Sequence, residues 1–355
     1  MIEKKEIKET KLVKPGFLAG KERDFSKYMK NLAGKIALIS HASDLDGIAS
    51  AKLISLVFKP NTIKLIEYRD LNDSLVLDLK KEGFNKVIFI DLMIKDPSFL
   101  KKIEEFSDVL IIDHHPFEKD FNSKKTVYMN AKEYCSAYIA YYLFSKIKNL
   151  EVLDWLVACA SISDNFYARN KKWMQRVFEK YGEVFALNGK FIKEEGKLWN
   201  LTNKLSLAIV YFNPKSVRVL DSIGNEFGQI GDLEKFSMAV ENEMSVVLNK
   251  FDREKQNIKE GYFFDFECIF PIKALVINKL NEQMKDKTLI VGEKKGESYT
   301  ITARRADGKV DLNKLLGKLT FGFENASAGG HKKAAAGNFP IQYLEEFKKR
   351  VKNIK

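Results

Sequence analysis

Short apolar runs rich in Ile and Val alternate with helix-length segments through the first part of the chain. The runs are KIALIS (35–40), TIKLIEY (62–68), KVIFID (86–91), DVLIID (108–113) and TVYMN (126–130). Such runs, separated by helices, are typical of a parallel sheet with crossover helices. The pattern predicts an α/β domain in which side chains that directly follow the strands face one crevice.

The later part of the chain divides into a helical region and a smaller domain. Residues 1–250 form the first predicted domain, with a core over 30–170 and a helical extension over 170–250. The charged stretch 251–262 is the predicted linker. Residues 263–355 form the second, where CIFPI, TLIVG, YTITARR, a helix around LNKLLGKL and a closing amphipathic helix predict a mixed α/β unit.

The charge of the chain is unevenly distributed. The net charge is +12, and from Lys285 to Lys355 there are 16 Lys and Arg against eight Asp and Glu. We therefore expect an anionic partner that binds the C-terminal region, although a solvated basic surface also explains the charge. The first residues are charged, and no apolar run approaches the about 18 residues that cross a bilayer. The expected location is cytoplasmic, with no membrane partner.

Two carboxylates, Asp44 and Asp46, follow the first predicted strand in the segment HASDLDG (41–47). Hard cations such as Mn²⁺ or Mg²⁺ need several oxygen ligands that converge, and Gly47 would let the backbone pass close to them. An Asp-rich helix N-cap explains the same residues equally well.

Further acidic and imidazole side chains follow the third and fourth strands. Asp91 ends the third run, and Asp113, His114 and His115 end the fourth. Taken alone, Asp91 could be a surface aspartate, and the adjacent histidines could occur in a loop by chance. Imidazoles beside a carboxylate instead indicate a metal site that could bind Mn, Fe, Co or Zn. Asp164, after the helix over 153–163, reads alone as a residue of the turn that ends a helix. Together these residues could converge on a pair of ions.

The order of these motifs resembles the DHH phosphoesterase family. DxDG, a strand-end Asp, DHH and a later Asp are joined by GGHKKAAAG at 329–337, which is similar to the family's associated C-terminal domain. Within the family the chain is most similar to RecJ-like nucleases and small oligonucleotide phosphodiesterases. The resemblance implies a parallel-sheet DHH domain with a helical segment and a smaller mixed α/β substrate-binding domain.

The resemblance also implies residue roles. The implied metal ligands are Asp44, Asp46, Asp91, His114 and Asp164, and Asp91 would bridge two divalent ions. His41 is a further candidate ligand, since some relatives carry a histidine ahead of DxD, one residue further from it. The catalytic residues would be His115, near the reacting phosphate, and Asp113, which would orient the histidines. Arg304, Gly329, Gly330 and His331 would bind substrate.

The implied activity is hydrolysis of single-stranded or short oligonucleotides to nucleoside 5′-monophosphates by a metal-dependent phosphodiesterase or exonuclease. A metal-activated hydroxide would attack phosphorus, with Mn²⁺ as the first choice of ion and Mg²⁺ or Co²⁺ as alternatives. The partners would be single-stranded DNA or RNA or short oligonucleotides; a homodimer and replication or repair partners stay open. One alternative is a cyclic-dinucleotide or small-nucleotide phosphodiesterase, and another is a non-catalytic DHH scaffold in a replication or repair assembly.

Overall fold

The computed structural model describes residues 12–189 and 191–354. The charged segment 1–11 lies outside the described residues. The chain divides into two compact units, one running to Ser237 and one beginning at Met238. Among the described residues, no helix is long and apolar enough to span a membrane.

The first unit is built on a five-stranded parallel sheet in the order β2-β1-β3-β4-β5. Its strands are β1 (Ile36–His41), β2 (Thr62–Ile66), β3 (Lys86–Ile90), β4 (Asp108–Asp113) and β5 (Thr126–Asn130). The chain places β2 on one side of β1 and β3 on the other, so the strand order reverses between β1 and β3. Ligands of open α/β sheets bind outside the carboxyl ends of the strands at such a reversal.

Both faces of this sheet are buried, and alternate residues along each strand serve opposite faces. Leu38 and Ile88 belong to one hydrophobic cluster, whereas Ile39 and Phe89 belong to the other. This burial on both sides is why the strands are almost continuously apolar in sequence.

Helices cover the two faces of the sheet and extend the first unit. They are α1 (Glu22–Lys30), α2 (Leu45–Val57), α3 (Asp73–Lys81), α4 (Pro97–Glu104), α5 (Ser136–Phe144), α6 (Asp154–Ser163), α7 (Lys171–Lys180), α8 (Lys197–Phe212) and α9 (Val217–Ser222). Side chains of α2, α5 and α6 join the first cluster, and those of α3 and α4 join the second. A two-stranded sheet, β6 (Leu187–Asn188) and β7 (Phe191–Ile192), precedes α8.

The division between the units falls inside the long helix α10 (Leu233–Glu254). The stretch 251–262, expected as a linker, instead holds the end of this helix, β8 (Gln256–Ile258) and the first two residues of β9 (Gly261–Asp265). Its charged residues occupy an exposed helix end and a hairpin, because a charged sequence suits those places as well as it suits a linker.

The second unit contains a six-stranded mixed sheet in the order β12-β13-β11-β10-β9-β8. Its remaining elements are α11 (Lys273–Gln283), β10 (Thr288–Lys295), β11 (Ser298–Arg304), α12 (Leu312–Leu319), β12 (Ser327–His331), β13 (Ala334–Pro340) and α13 (Leu344–Lys352). Leu316 of α12 and Phe347 of α13 share a core with Phe263 and Ile290 of the sheet.

The predicted α/β class is confirmed, with a parallel sheet and a second, mixed sheet. One strand expectation was wrong. CIFPI (268–272) forms no strand and leads instead into α11, while the neighbouring GYFFD (261–265) supplies β9. The Sγ of Cys268 hydrogen-bonds the carbonyl of Phe270 (3.0 Å), which holds this segment in a turn.

Candidate metal centre

Acidic and imidazole side chains meet at the carboxyl edge of the first sheet. They are held by the ends of β1, β3 and β4 and by the ends of α2, α5 and α6. His41 ends β1, Asp113 ends β4, and Asp91 directly follows β3. Because α2 begins and α6 ends at this edge, both helices add carboxylates to it.

Asp44 and Asp46 lie on the turn that opens α2, and their roles differ. Asp44 is the helix N-cap, and its Oδ1 accepts from the backbone N–H of Gly47 (3.0 Å). Asp46 points into the protein, where its two oxygens accept from the N–H groups of Ser136 (2.6 Å) and Ala137 (2.7 Å) at the start of α5. A helix N-terminus stabilises a carboxylate there. A Cβ at Gly47 would lie 2.3 Å from the carbonyl oxygen of His41, so this tight turn requires glycine.

Asp91 occupies the centre of the site. Its backbone is left-handed (φ 58°), and its side chain is 1% exposed. Its Oδ1 accepts from the hydroxyl of Ser136 (3.0 Å) and lies 3.3 Å from Nε2 of His114. Its Oδ2 lies 3.9 Å from Nδ1 of His41 and has no hydrogen-bond partner among the described residues. The two oxygens thus face different histidines.

His114 faces three carboxylates through one ring nitrogen. Its Nε2 lies 3.3 Å from Asp91, 3.5 Å from Asp164 and 3.9 Å from Asp46. Phe166 contacts the ring edge-on, with centroids 5.0 Å apart. Asp164 caps the C-terminus of α6, as its position in the sequence indicated, and the same turn aims its carboxylate at His114.

His115 is held on both ring nitrogens. Its Nδ1 is 2.7 Å from Oδ1 of Asp113, and its Nε2 is 3.2 Å from the hydroxyl of Tyr68. Asp113 therefore contacts only one of the two histidines that it was expected to orient. The Nδ1 of His114 has no hydrogen-bond partner among the described residues.

These side chains form three overlapping groups whose candidate ligand atoms lie within 4.8 Å of one another. The groups are His41 with Asp44 and Asp91, Asp46 with His114 and Asp164, and Asp91 with His114 and His115. Every ion pair made by the four carboxylates among the described residues involves a histidine, never Lys or Arg. Buried carboxylates need a cation, and oxygen with imidazole ligands suits a divalent one. The donor set therefore fits divalent metal ions.

The electrostatics of the protein alone agree with this fit. Burial, followed by the charges of Asp46 and Asp44, raises the pKa of Asp164 to about 9 and the pKa of Asp91 well above its usual value. Burial also raises the pKa of Asp46 and lowers that of His114. Without a cation, burial therefore favours the neutral form of each of these groups. Metal ions could replace the protons at a set of ready ligands.

The C-terminal candidates lie in the second unit, on the strands β11, β12 and β13. Arg304 pairs with Ala334, and Ala334 pairs with His331. Directly paired residues point to the same face of a sheet, so Arg304 and His331 flank the small Ala334 side chain. Within the described part of the chain, the guanidinium of Arg304 hydrogen-bonds only the side chain of Asn278 (3.3 Å) and the carbonyl of Ala303 (3.0 Å).

Two comparisons with family models cover most of the two units. The model described as "DHH family, N-terminal domain" matches residues 35–161, and the DHHA1 domain model matches residues 272–355. The chain belongs to the DHH family. The residues gathered at the sheet edge from His41 to Asp113 and His115 lie within the first match. Arg304 and the β12–β13 hairpin lie within the DHHA1 match.

Several solved structures share the fold of this DHH protein. Exonuclease RecJ bound to manganese matches with a TM-score of 0.63 and 16% identity, covering 95% of this chain and 94% of that chain. CDC45 from Entamoeba histolytica matches with a TM-score of 0.60 and 11% identity, covering 94% and 98%. The pGpG-specific phosphodiesterase PggH from Vibrio cholerae matches with 0.52 and 12%, covering 90% and 98%. No curated protein matches by sequence. At these identities the likeness concerns the fold.

The DHH domain also places residues in the site that the sequence analysis did not identify. Glu67 lies 3.7 Å from Nε2 of His41, and the ring of Tyr68 lies 4.7 Å from that of His41. Both directly follow β2, but they lie inside the apolar run predicted for this strand (62–68), so a search for polar residues after the predicted strand did not find them. Ser136 gave no such signal, because nothing in the sequence brings the start of α5 to Asp46 and Asp91.

Proposed function

We propose that the chain is a two-metal phosphodiesterase that acts from one end on single-stranded or short oligonucleotides and releases nucleoside 5′-monophosphates. The observation that carries this proposal is the convergence of four carboxylates and three histidines in overlapping groups at one sheet edge. Isolated structural carboxylates would not be expected to gather without Lys or Arg to balance them.

The arrangement supports two ion positions. Asp44 with His41 lies on one side of Asp91, and Asp46 with His114 and Asp164 lies on the other. Since the two oxygens of Asp91 face different groups, Asp91 is the proposed bridging ligand. Imidazole ligands favour Mn²⁺ or Co²⁺ over Mg²⁺. The bound manganese of the RecJ structure agrees with Mn²⁺ as the first choice.

Bound ions would supply a strong nucleophile at neutral pH and would neutralise charge on the reacting phosphate. The protein would position the substrate. Asp113 fixes Nδ1 of His115, so Nε2, which contacts the hydroxyl of Tyr68, could exchange that contact for one with a phosphate oxygen. Ser136 holds Asp91 through its hydroxyl and Asp46 through its N–H, and thus keeps two carboxylates in place.

The DHHA1 domain supports a nucleotide substrate. Arg304 can hold a phosphate with two parallel hydrogen bonds, and His331 lies on the same face of the sheet. Gly329 leaves open space beside its backbone, so a ligand could approach it there. The likeness to PggH, whose named substrate pGpG is a dinucleotide, favours short substrates and keeps a small-nucleotide phosphodiesterase as the second candidate.

A scaffold role in a replication assembly is the third reading, suggested by the likeness to CDC45. The convergence of the whole donor set at the sheet edge favours an enzyme, because a scaffold has no need to keep buried carboxylates together.

The test is hydrolysis of end-labelled RNA and DNA, from dinucleotides to long single strands, beside cyclic dinucleotides, with Mn²⁺ present. We expect nucleoside 5′-monophosphates, formed fastest from short strands. Asp91→Ala and His114→Ala should abolish this activity, and the surface variant Asp73→Ala should not. The proposal is wrong if either of the first two variants keeps more than about a tenth of the activity, since losing an ion removes its whole contribution.

A further inference from the structure

A cavity of about 380 Å³ lies in the first unit and includes residues that border the candidate metal centre. We name it the Tyr68 cavity. Its wall contains Tyr68, Arg69, Leu71, Met93, Ile94 and Phe99. This volume lies in the range of about 300–1,000 Å³ that is typical of small-ligand sites.

The cavity and the metal centre share Tyr68. The hydroxyl of Tyr68 is 3.2 Å from Nε2 of His115, and its ring packs against His41. Met93 and Ile94 lie on the loop that begins with Asp91. The cavity is therefore one side chain away from the imidazole proposed to contact phosphate.

The interior of the cavity is apolar. Ile94 and Phe99 are buried, and Met93 and Leu71 are half-buried. These four side chains offer an aromatic ring, a thioether and branched alkyl groups but no strong hydrogen-bond donor. They suit a flat apolar surface better than a sugar or a peptide.

Two exposed cations, Arg69 and Lys95, also border the cavity. Among the described residues, neither head group forms an ion pair or hydrogen bond. Asp96 borders the cavity too, but its carboxylate caps α4 by accepting from the N–H (2.8 Å) and hydroxyl (2.6 Å) of Ser98. The surroundings of the cavity therefore favour an anion.

We propose that the Tyr68 cavity binds a nucleobase of the substrate, that of the nucleotide adjoining the phosphate to be cleaved. This inference rests on the proposed function and deepens it. A base would lie against Met93 and Phe99, while the negative backbone of the same nucleotide would face Arg69 and Lys95. With no hydrogen-bonding group on the apolar side chains, the cavity would accept all four bases with similar affinity.

The test compares an intact short DNA strand with two strands in which the 5′-terminal or the 3′-terminal base is missing. For the wild-type protein we expect kcat/KM to fall about tenfold for one of the two abasic strands, since a stacked base contributes that much to binding. Met93→Ala should lower kcat/KM on the intact strand and have no further effect on that abasic strand, because the two changes remove the same contact.

The matched control is Leu77→Ala, which shortens an exposed apolar side chain of α3 outside the cavity. Leu77→Ala should leave kcat/KM unchanged on the intact strand and on the abasic strands. Met93→Leu keeps the apolar volume and should retain the preference for the intact strand. Equal rates of wild type on all three strands, or an equal loss by Met93→Ala on all of them, would overturn the inference.

A binding measurement separates this inference from the proposed function. The fluorescence of 2-aminopurine riboside 5′-monophosphate should be quenched by the wild-type protein and much less by Met93→Ala at the same concentration. If no oligonucleotide is hydrolysed, the proposed function fails, and the presence or absence of this quenching still decides whether the cavity takes a base.

Discussion

Asp91 shows how one backbone position arranges the whole centre. Its N–H still bonds to the carbonyl of Ile112 (3.0 Å), so pairing with β4 continues one residue beyond β3. The left-handed turn at φ 58° then directs the carboxylate into the site. Such a conformation costs an L-residue on the order of 1 kcal/mol, and Asp tolerates it better than most. This conformation aims one oxygen at His114 and the other at His41.

Ser136 is the residue through which α5 positions two of the carboxylates. Ser136→Ala removes the hydroxyl bond to Asp91 and leaves the N–H bond to Asp46. We expect about tenfold weaker Mn²⁺ binding, measured by calorimetry, because residues that hold metal ligands typically contribute this much. Ser55→Ala, which removes a hydroxyl bond within α2 (2.7 Å), is the control and should bind Mn²⁺ like wild type.

The raised pKa of Asp164 makes the stability of the metal-free protein depend on pH. The folded protein holds this proton up to a pKa of about 9, whereas the unfolded chain releases it near about pH 4. Between these values the folded state binds more protons, so its stability falls as pH rises.

With a chelator present, raising the pH from about 5.5 to about 8 should therefore lower the thermal stability of Asp164→Asn less than that of wild type. Excess Mn²⁺ should remove the difference in wild-type stability between the two pH values, since the ion takes the place of the protons. Thermal unfolding at the two pH values measures both. Identical pH dependence of wild type and Asp164→Asn without metal would contradict the buried, proton-holding carboxyl.

At the scale of elements, the β12–β13 hairpin uses its two adjacent glycines differently. Gly330 has φ 146°, and a Cβ there would lie 2.4 Å from the carbonyl oxygen of Ala334. A Cβ at Gly329 would meet nothing within 4 Å. The strand pairing thus requires Gly330 to be glycine, whereas the open side of Gly329 is available to a ligand.

Substituting the two glycines should separate stability from binding. Gly330→Ala should lower the free energy of unfolding by about 1–3 kcal/mol, and Gly329→Ala should stay within about 0.5 kcal/mol of wild type. Denaturant unfolding measures both. If Gly329 borders the substrate, Gly329→Ala should also raise KM for oligonucleotides. Equal destabilisation by both substitutions would mean that the hairpin is not packed as described.

The sequence was sufficient to predict elements that are fixed by local pattern. The five strands of the first sheet could be placed because each is a short apolar run, and Asp91 and His114 were found because they follow such runs. Asp164 ends a helix and needed the family order to gain a meaning. The place of Ser136 in the site depends on tertiary contacts, and the pairing of Ala334 with both Arg304 and His331 depends on strand register, neither of which residue patterns encode. The stretch expected as a linker is instead a helix end and a hairpin, because charge alone does not distinguish a linker from an exposed helix end.

At the scale of the molecule, the densest positive charge and the metal ligands belong to different units. The ligands lie in the first unit, whereas an excess of eight positive charges lies between Lys285 and Lys355. Lys332 and Lys333, in the turn of the β12–β13 hairpin, adjoin His331. Each unit has a net charge of +6, so the smaller second unit has the higher charge density and would contribute more than its share of residues to the long-range attraction of an oligonucleotide.

The charge should make oligonucleotide affinity depend on salt. We expect KM to rise with salt concentration, with a slope in a double-logarithmic plot that reflects the number of phosphates contacted. Lys332→Gln combined with Lys333→Gln should reduce that slope, while Lys80→Gln combined with Lys81→Gln, at the end of α3, should not. A slope that is unchanged by the first pair would exclude these lysines from phosphate contact.

The order of strands in the first sheet has a consequence for folding kinetics. The candidate ligands extend from His41 to Asp164, and they meet only after β1, β3 and β4 have paired and α5 and α6 have packed. Contacts between such distant segments form late in folding. Metal ions would then bind mainly after the transition state, so they should slow unfolding while leaving the refolding rate nearly unchanged. The metal centre would stabilise the domain kinetically once it has folded and would not nucleate its folding.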